Sequence, residues 1–306
     1  MTFVSSRYYF ATSATVAVVA SVGIYSLLSQ TAHAESSQPP MAFKGRFGFT
    51  SLRLHSVTSV NHNTKRLLFE LPDSEARSGL SLTSSLLTVS RPQGSFFPVF
   101  RPYTPINKLD DPGFVELMVK KYPNGKASSH LHSLSPGDRM TFLGAIKGFP
   151  WTANQFPHIY LLAGGAGITP IYQLIQGILS NPHDRTRMTL VFGGNTEEDL
   201  LLREELDGFK KRFPDRFDVI YTVSSSSPNL PSSSSLRTGR ITKELLEEVM
   251  GSTPGVVDQH NTKVFVCGPP AMEEALTKSR GCMRTSGGEE GVLAQLGFSK
   301  NQIYKF

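Results

Sequence analysis

From Phe49 to Leu143 apolar and polar positions alternate in short runs separated by turn residues. The runs Phe49–Val60, Lys65–Leu71, Leu86–Ser90, Phe114–Lys121 and Arg139–Leu143 read as strands. Asn61-His62-Asn63 and Ser135-Pro136-Gly137-Asp138 have the composition of turns. Many short strands within about a hundred residues predict an antiparallel barrel. After Trp151 the pattern changes. His158–Ala163 is an unbroken apolar run of the kind a strand covered on both faces needs, and Gly164-Gly165-Ala166-Gly167 leads from it into an apolar helix, Pro170–Leu179. A strand over Met188–Phe192 and a helix over Thr196–Arg212 follow. Then come a strand over Phe217–Val223, a serine-rich loop over Ser224–Ser235, a helix over Thr242–Met250 and a strand over Lys263–Cys267. Strands alternating with helices predict a parallel sheet with crossover connections. The expected architecture is an antiparallel β-barrel, residues 47–150, followed by a doubly wound parallel-sheet α/β domain, residues 155–306.

The first 34 residues stand apart. Tyr8–Leu28 is a run of 21 uncharged residues, long enough at about 1.5 Å per residue to cross a hydrocarbon core of roughly 30 Å. Its strongly apolar part, Ala14–Leu28, is shorter, and Ala32-His33-Ala34 resembles a signal-peptidase site. A spanning anchor, a cleaved secretory signal and a mitochondrial signal-anchor therefore compete, with an anchor of some kind preferred. Glu35–Pro40 is a polar linker. Arg7 is the only charge before Glu35, so the remainder carries 30 Lys and Arg against 25 Asp and Glu, a net +5. That excess fits an acidic partner or an anionic cofactor, or simple solubility, and no Lys/Arg block points to nucleic acid. Two cysteines, Cys267 and Cys282, make no disulfide framework, and the eight histidines show no metal-ligand spacing. No metal is expected.

Four segments carry chemistry. Ala163-Gly164-Gly165-Ala166-Gly167-Ile168-Thr169-Pro170 joins a strand to a helix. Glycines there let backbone approach a pyrophosphate, and the helix start offers free N–H groups. Tight turns need glycine too, so alone this is weak. Arg101-Pro102-Tyr103-Thr104-Pro105 places an arginine for phosphate oxygens, a ring for stacking and a hydroxyl for hydrogen bonding on a stretch its prolines hold extended. An ordinary edge strand with a surface arginine is the plain alternative. Val119-Lys120-Lys121-Tyr122 and Gly125-Lys126-Ala127-Ser128-Ser129 open a short helix, either as a second anion site or with Ser128 or Ser129 merely capping the turn. Val264–Cys267 followed by Gly268-Pro269-Pro270 ends a buried strand in a thiol at the border of the ligand crevice, though a lone cysteine there more often packs.

Taken in order, these motifs resemble the ferredoxin reductase-type flavoproteins and, within them, the NADH-cytochrome b5 reductases of the fungal mitochondrial type. Asn61–Arg66 and the ending Leu296–Phe298 to Tyr304–Phe306 resemble them too, so the likeness runs from about Phe47 to Phe306. It implies an FAD-binding barrel and a nicotinamide-dinucleotide domain. Arg101, with Pro102 beside it, would hold the FAD phosphates, Tyr103 would contact the flavin and Thr104 would bond its ring. Val119 and Lys120 would lie towards the nicotinamide, Tyr122 towards adenosine, and Gly125, Lys126, Ala127 and Ser128 along the pyrophosphate. Gly165, Gly167, Thr169 and Pro170 would form the lip between the two cofactors, with Cys267, Gly268 and Pro269 framing the nicotinamide. Asn195 and Glu198 are weighed as caps first and ligand contacts second.

The resemblance implies hydride transfer from NADH to FAD, catalysed with Thr104, Lys120 and Cys267, then single-electron delivery to cytochrome b5 or a similar small haem protein. It also implies a monomer tethered through the N-terminal segment to the mitochondrial outer membrane or facing the intermembrane space, with the endoplasmic reticulum as the alternative. The alternatives in function are the same flavin chemistry serving a molybdenum enzyme, an oxygenase or a quinone, and a membrane-tethered interaction module without activity. Three departures from the family pattern stand out: Ala127 for methionine, Ala166 for threonine, and Ser224 for aspartate. The last leaves NADPH open as a donor.

Overall fold

The computed structural model describes residues 39–43, 48–92, 96–225, 236–252, 261–278 and 290–306. The N-terminal segment 1–34, Cys282 and residues 226–235 of the serine-rich loop lie outside them. The first sheet is antiparallel throughout. Its strands are β1 (Thr50–Asn61), β2 (Thr64–Glu70), β3 (Ser85–Ser90), β4 (Val99–Tyr103), β5 (Phe114–Lys120) and β6 (Arg139–Ile146), in the order β4-β3-β6-β1-β2-β5. A bridge between Pro105 and Leu117 brings the chain beyond β4 onto β5 and curls the sheet into a barrel. Alternation does the work expected of it. In β2 Leu67 and Phe69 point inward and are fully buried while their neighbours are partly exposed. With Leu52, Leu54, Leu86, Leu117 and Phe142 they fill the barrel. Helix α1 (Lys126–Ser133) caps one end, inserting Leu131 into that core.

The second sheet is parallel, in the order β10-β9-β8-β7-β11-β12. Its strands are β7 (His158–Gly164), β8 (Arg187–Gly194), β9 (Phe217–Val223), β10 (Leu236–Thr238), β11 (Thr262–Cys267) and β12 (Ile303–Lys305). β7 is buried at every position, as a central strand covered on both faces must be. Helices α2 (Ile168–Ser180), α3 (Arg203–Arg212), α4 (Lys243–Ser252), α5 (Pro270–Thr277) and α6 (Val292–Gln295) cover the sheet. Strand order runs outward from β7 through β8, β9 and β10, then returns to place β11 on the other side of β7. The direction of winding therefore reverses between β7 and β11, and open parallel sheets bind ligands in the crevice at such a reversal.

Two elements depart from the sequence reading. The helix expected over Thr196–Arg212 is a single turn, Glu197–Asp199, followed by a break at Leu202, which sits at φ 59, and only then α3. Asp199 turns inward to meet Lys120, and Leu200, Leu201 and Leu202 are all buried, so tertiary contacts override the helical pattern. Helix α2 starts two residues before Pro170, which leaves the proline in the first turn where its missing donor is harmless.

Candidate functional site

At the reversal, the ends of β7, β8 and β9 and the start of α5 enclose a crevice of about 640 Å³. Gly164, Gly165, Gly193, Gly194, Thr222 and Pro269 line its sheet side. Gly165 holds φ +52, a left-handed conformation natural to glycine, and a Cβ there would meet nothing nearer than the Tyr122 hydroxyl at 3.9 Å. The turn is therefore uncrowded on its crevice side, where only the Tyr122 hydroxyl of the facing wall comes within contact distance. Gly167 is glycine for another reason. A Cβ would fall 2.3 Å from the Cys267 carbonyl oxygen, so the turn packs directly on the end of β11. The Thr222 hydroxyl is buried with no hydrogen-bond partner among the described residues.

The facing wall comes from the barrel. His62 and Asn63 at the β1–β2 turn, Lys120 at the end of β5, and Lys121, Tyr122 and Pro123 after it line the crevice. Lys120 Nζ lies 2.5 Å from Asp199 Oδ1, an ion pair whose side chains are only 11% and 6% exposed. Burial works to raise the Asp199 carboxyl, but the hydrogen bond and charge of Lys120, with the Thr196 backbone, outweigh it and hold the group below its ordinary range. Two more ties run alongside. Asn61 Nδ2 donates to the Glu198 carbonyl at 2.7 Å, and Arg66 pairs with Glu205. On another flank Gln173 of α2 is spent wholly on the barrel, accepting from the Thr83 amide at 3.2 Å and donating to the Pro105 carbonyl at 3.0 Å.

The expected flavin residues form a separate surface on β4 and α1. Arg101 is exposed on this edge strand with its guanidinium bonded only to its neighbour's carbonyl, so no carboxylate competes for it among the described residues. Burial pushes the Tyr103 hydroxyl up to about 12, against the pull of Arg101, so its ring stays neutral. Thr104 is buried and its hydroxyl is 2.8 Å from that of Ser85, which fixes its direction. At α1 the Ser128 hydroxyl accepts from the Tyr122 amide and donates to the Gly125 carbonyl. It pins the loop as a cap would, leaving the first amides of the helix as the free donors.

Of the expected residues, Lys120, Tyr122, Gly165, Ser224 and Pro269 line the crevice. Arg101, Pro102, Tyr103, Gly125 and Lys126 are exposed or partly exposed on β4 and α1 of the barrel domain, while Thr104, Ala127 and Ser128 of the same segments are buried. Val119 offers no side chain to a ligand: it is fully buried in the barrel core and its carbonyl bonds His132 at 2.8 Å. Thr169 and Pro170 are buried in the first turn of α2, and the Thr169 hydroxyl donates to the Ala166 carbonyl. Gly268 packs on Met272. Cys267 does not line the crevice itself. Its partly buried side chain packs against the α/β core, and burial, helped by Glu273, pushes its thiol up to about 12. Neither Asn195 nor Glu198 caps a helix: Asn195 lines the crevice and Glu198 faces His62. Asp199, Thr222 and Ser85 were not singled out as site residues by their motifs, since no local pattern marks them, whereas Arg240, sixteen residues after Ser224, is legible in the sequence as a cation near the same place.

Known proteins agree with this layout. Residues 51–151 match the oxidoreductase FAD-binding domain family and residues 161–278 the oxidoreductase NAD-binding domain family. The chain is 44% identical over 287 residues to NADH-cytochrome b5 reductase 2 of Emericella nidulans, covering 93% of this chain and 87% of that one. It is 43% identical to the protein of that name from Pyricularia oryzae, over 88% of this chain and 79% of that one. Among solved structures it is similar to the cytochrome b5 reductase domain of Ulva prolifera nitrate reductase. The TM-score there is 0.71 at 26% identity, covering 86% of this chain and all of that one.

Proposed function

The chain belongs to the NADH-cytochrome b5 reductases, and from that membership we propose that it carries electrons from NADH, through FAD, to cytochrome b5. The observation that carries the reading is a crevice at a winding reversal, walled on one side by Gly165 and on the other by Tyr122 and Lys120 of the barrel. FAD fits the donor set of the barrel surface. Arg101 offers an uncommitted guanidinium to phosphate, the start of α1 offers free amides, and Tyr103 offers a neutral ring. Bound FAD supplies the redox chemistry itself, taking up a hydride and giving out electrons one at a time.

The residues of the chain bind and orient. Gly165 lets the dinucleotide backbone pass close to the turn, and the unpartnered Thr222 hydroxyl offers it a hydrogen bond. Thr104, whose hydroxyl is held by Ser85, would supply a hydrogen bond to the flavin ring. Lys120 enters the site already neutralised by Asp199, so it positions rather than attracts phosphate. Cys267 keeps its proton at neutral pH and is no nucleophile, so its part would be packing at the end of β11, behind the crevice. We also propose that residues 1–34 anchor a monomer in the mitochondrial outer membrane or towards the intermembrane space. The support is the 21-residue uncharged run Tyr8–Leu28 and the polar linker behind it.

The test is turnover of the purified full chain with NADH, using ferricyanide and cytochrome b5 as acceptors, beside a form lacking residues 1–34. The expectation is a yellow protein that reduces both acceptors, with the shortened form soluble and equally active on ferricyanide. A protein without flavin absorbance would refute the functional reading. A shortened form that stays on membranes would refute the anchor alone.

A further inference from the structure

The far end of the crevice, beyond Gly193 and Gly194, is closed by Ser224 and Arg240. Their placement is set by backbone. The parallel ladder runs on past β9, with the Ser224 amide donating to the Gly194 carbonyl at 3.1 Å and that of Ser225 to Asn195 at 2.9 Å. On the other side Thr238 of β10 pairs with Val223, and the Gly239 amide donates to the Val223 carbonyl at 2.8 Å. Continued by one residue, that register sets Gly239 opposite Ser224, with Arg240 next along the chain; all three line the crevice, and the Ser224 and Arg240 side chains are exposed.

The charges at this end are one-sided. Arg240 makes no ion pair or hydrogen bond among the described residues, whereas Arg237 three residues earlier is held by Glu248 at 2.5 Å. Among the described residues Asp199 is the one carboxylate lining the crevice, and Lys120 neutralises it. Of its neighbours, Glu197 pairs with Arg203 and Glu198 faces His62. Residues 224–243 contain no Asp or Glu at all, so no part of that stretch can bring an acid to the rim. Selectivity for a free ribose 2′-hydroxyl rests on a carboxylate that bonds it and repels a 2′-phosphate, while an arginine nearby accommodates the phosphate.

We propose that Ser224 and Arg240 form a receptor for the 2′-phosphate of NADPH, so that this chain oxidises NADPH as well as NADH. This rests on the reductase reading above and changes only the recognition of a remote group. The hydride and its electron pair still pass from the nicotinamide to FAD, and NADP+ leaves in place of NAD+. The guanidinium fork takes two phosphate oxygens, and the Ser224 hydroxyl, 3.5 Å from Asn195 Oδ1 and so only loosely engaged, donates to a third.

The experiment uses the flavin-loaded full chain in two arms. In the first, kcat/KM is measured for both dinucleotides in the natural protein, Arg240→Ala and Ser224→Asp. The natural ratio of NADH to NADPH is expected to be under roughly a hundred, and each variant should raise it about tenfold or more, chiefly through the KM for NADPH. The second arm needs no turnover: calorimetric binding of adenosine 2′,5′-bisphosphate is compared with that of 5′-AMP. The bisphosphate should bind at least about fivefold tighter, and Arg240→Ala should erase that advantage. A natural ratio above that limit, or a bisphosphate no tighter than 5′-AMP, overturns the proposal. Failure to oxidise NADH itself would count against the reductase reading instead, and the binding arm would still decide this one.

Discussion

Replacing Asp199 by Asn should destabilise the protein by about 3 kcal/mol. The carboxylate is 5% exposed and sits 2.5 Å from the Lys120 ammonium, and the two belong to different domains. Removing one member of a buried pair strands the other charge, which typically costs roughly 3–5 kcal/mol. Lys120 lines the crevice and regains some water when its partner is lost, which places the expectation at the low end. For a body of this size that is a fall in melting temperature of roughly 6–12 °C. The Asp199 carboxyl is held below its ordinary value, about 3.9, despite burial, because Lys120 favours its charged form. Its contribution is thus present above that value and lost as pH falls through the lower folded one. The gap between natural protein and variant should accordingly narrow below about pH 4. Pairing the change with Lys120→Gln completes a cycle, and a coupling of about 2 kcal/mol is expected because the double variant buries no lone charge. Thermal unfolding followed by flavin release measures all four proteins. A melting point within about 1 °C of the natural one, or strictly additive effects, would refute the reasoning.

Three further outcomes follow from the same geometry. Arg101→Ala removes a charge-assisted phosphate contact worth about 1.5–3 kcal/mol, so FAD titration should show affinity at least tenfold weaker, and unchanged affinity would remove Arg101 from the flavin site. Cys267→Ser should keep FAD and lose only part of the flavin reduction rate. Its pH profile between about 6 and 9 should parallel that of the natural protein, since a thiol pushed up to about 12 does not titrate there. Stopped-flow reduction by NADH checks this, and complete loss of reduction with an intact flavin spectrum would show a chemical role. Gln173→Leu leaves the buried Thr83 amide and Pro105 carbonyl without partners, at about 1–3 kcal/mol each, and because Pro105 adjoins Thr104, flavin should be released at lower temperature as well.

How far the sequence was legible depends on the range of the forces involved. Strands β1, β2, β5 and β6 show in the alternation of apolar positions because each has one face on the barrel core. β7 shows because it is buried throughout. β10 and β12, three residues each, are held at the sheet edges by ladder bonds to β9 and β11 and have no pattern of their own to read. The helix expected from Thr196 broke down for a reason no local pattern contains, since Asp199 is drawn to a lysine 79 positions away in sequence. The motifs fared likewise. Arg101–Thr104 and the glycine turn stand out in sequence as candidate motifs, but Ser85, which bonds Thr104, and Gln173, which ties that segment to α2, are ordinary residues in sequence.

Gly165 and Gly167 belong to one motif and do opposite things, and that contrast explains how the site stays open. Gly167 removes a Cβ so that protein can pack on protein, bringing the start of α2 against the end of β11. Gly165 removes one where only the Tyr122 hydroxyl comes near, in a left-handed turn that lines the crevice. The first closes the reversal point from below, and the second keeps its upper surface bare for a ligand backbone. The barrel then supplies the opposite wall through Tyr122 and Lys120, and the ties at Asp199, Glu198 and Glu205 fasten that wall to the chain just after Gly194–Thr196, itself part of the crevice lining. The crevice lining at Gly194–Thr196 and three of the contacts that join the barrel to the α/β domain thus lie within one short stretch of chain, with the Gln173 contacts on another flank.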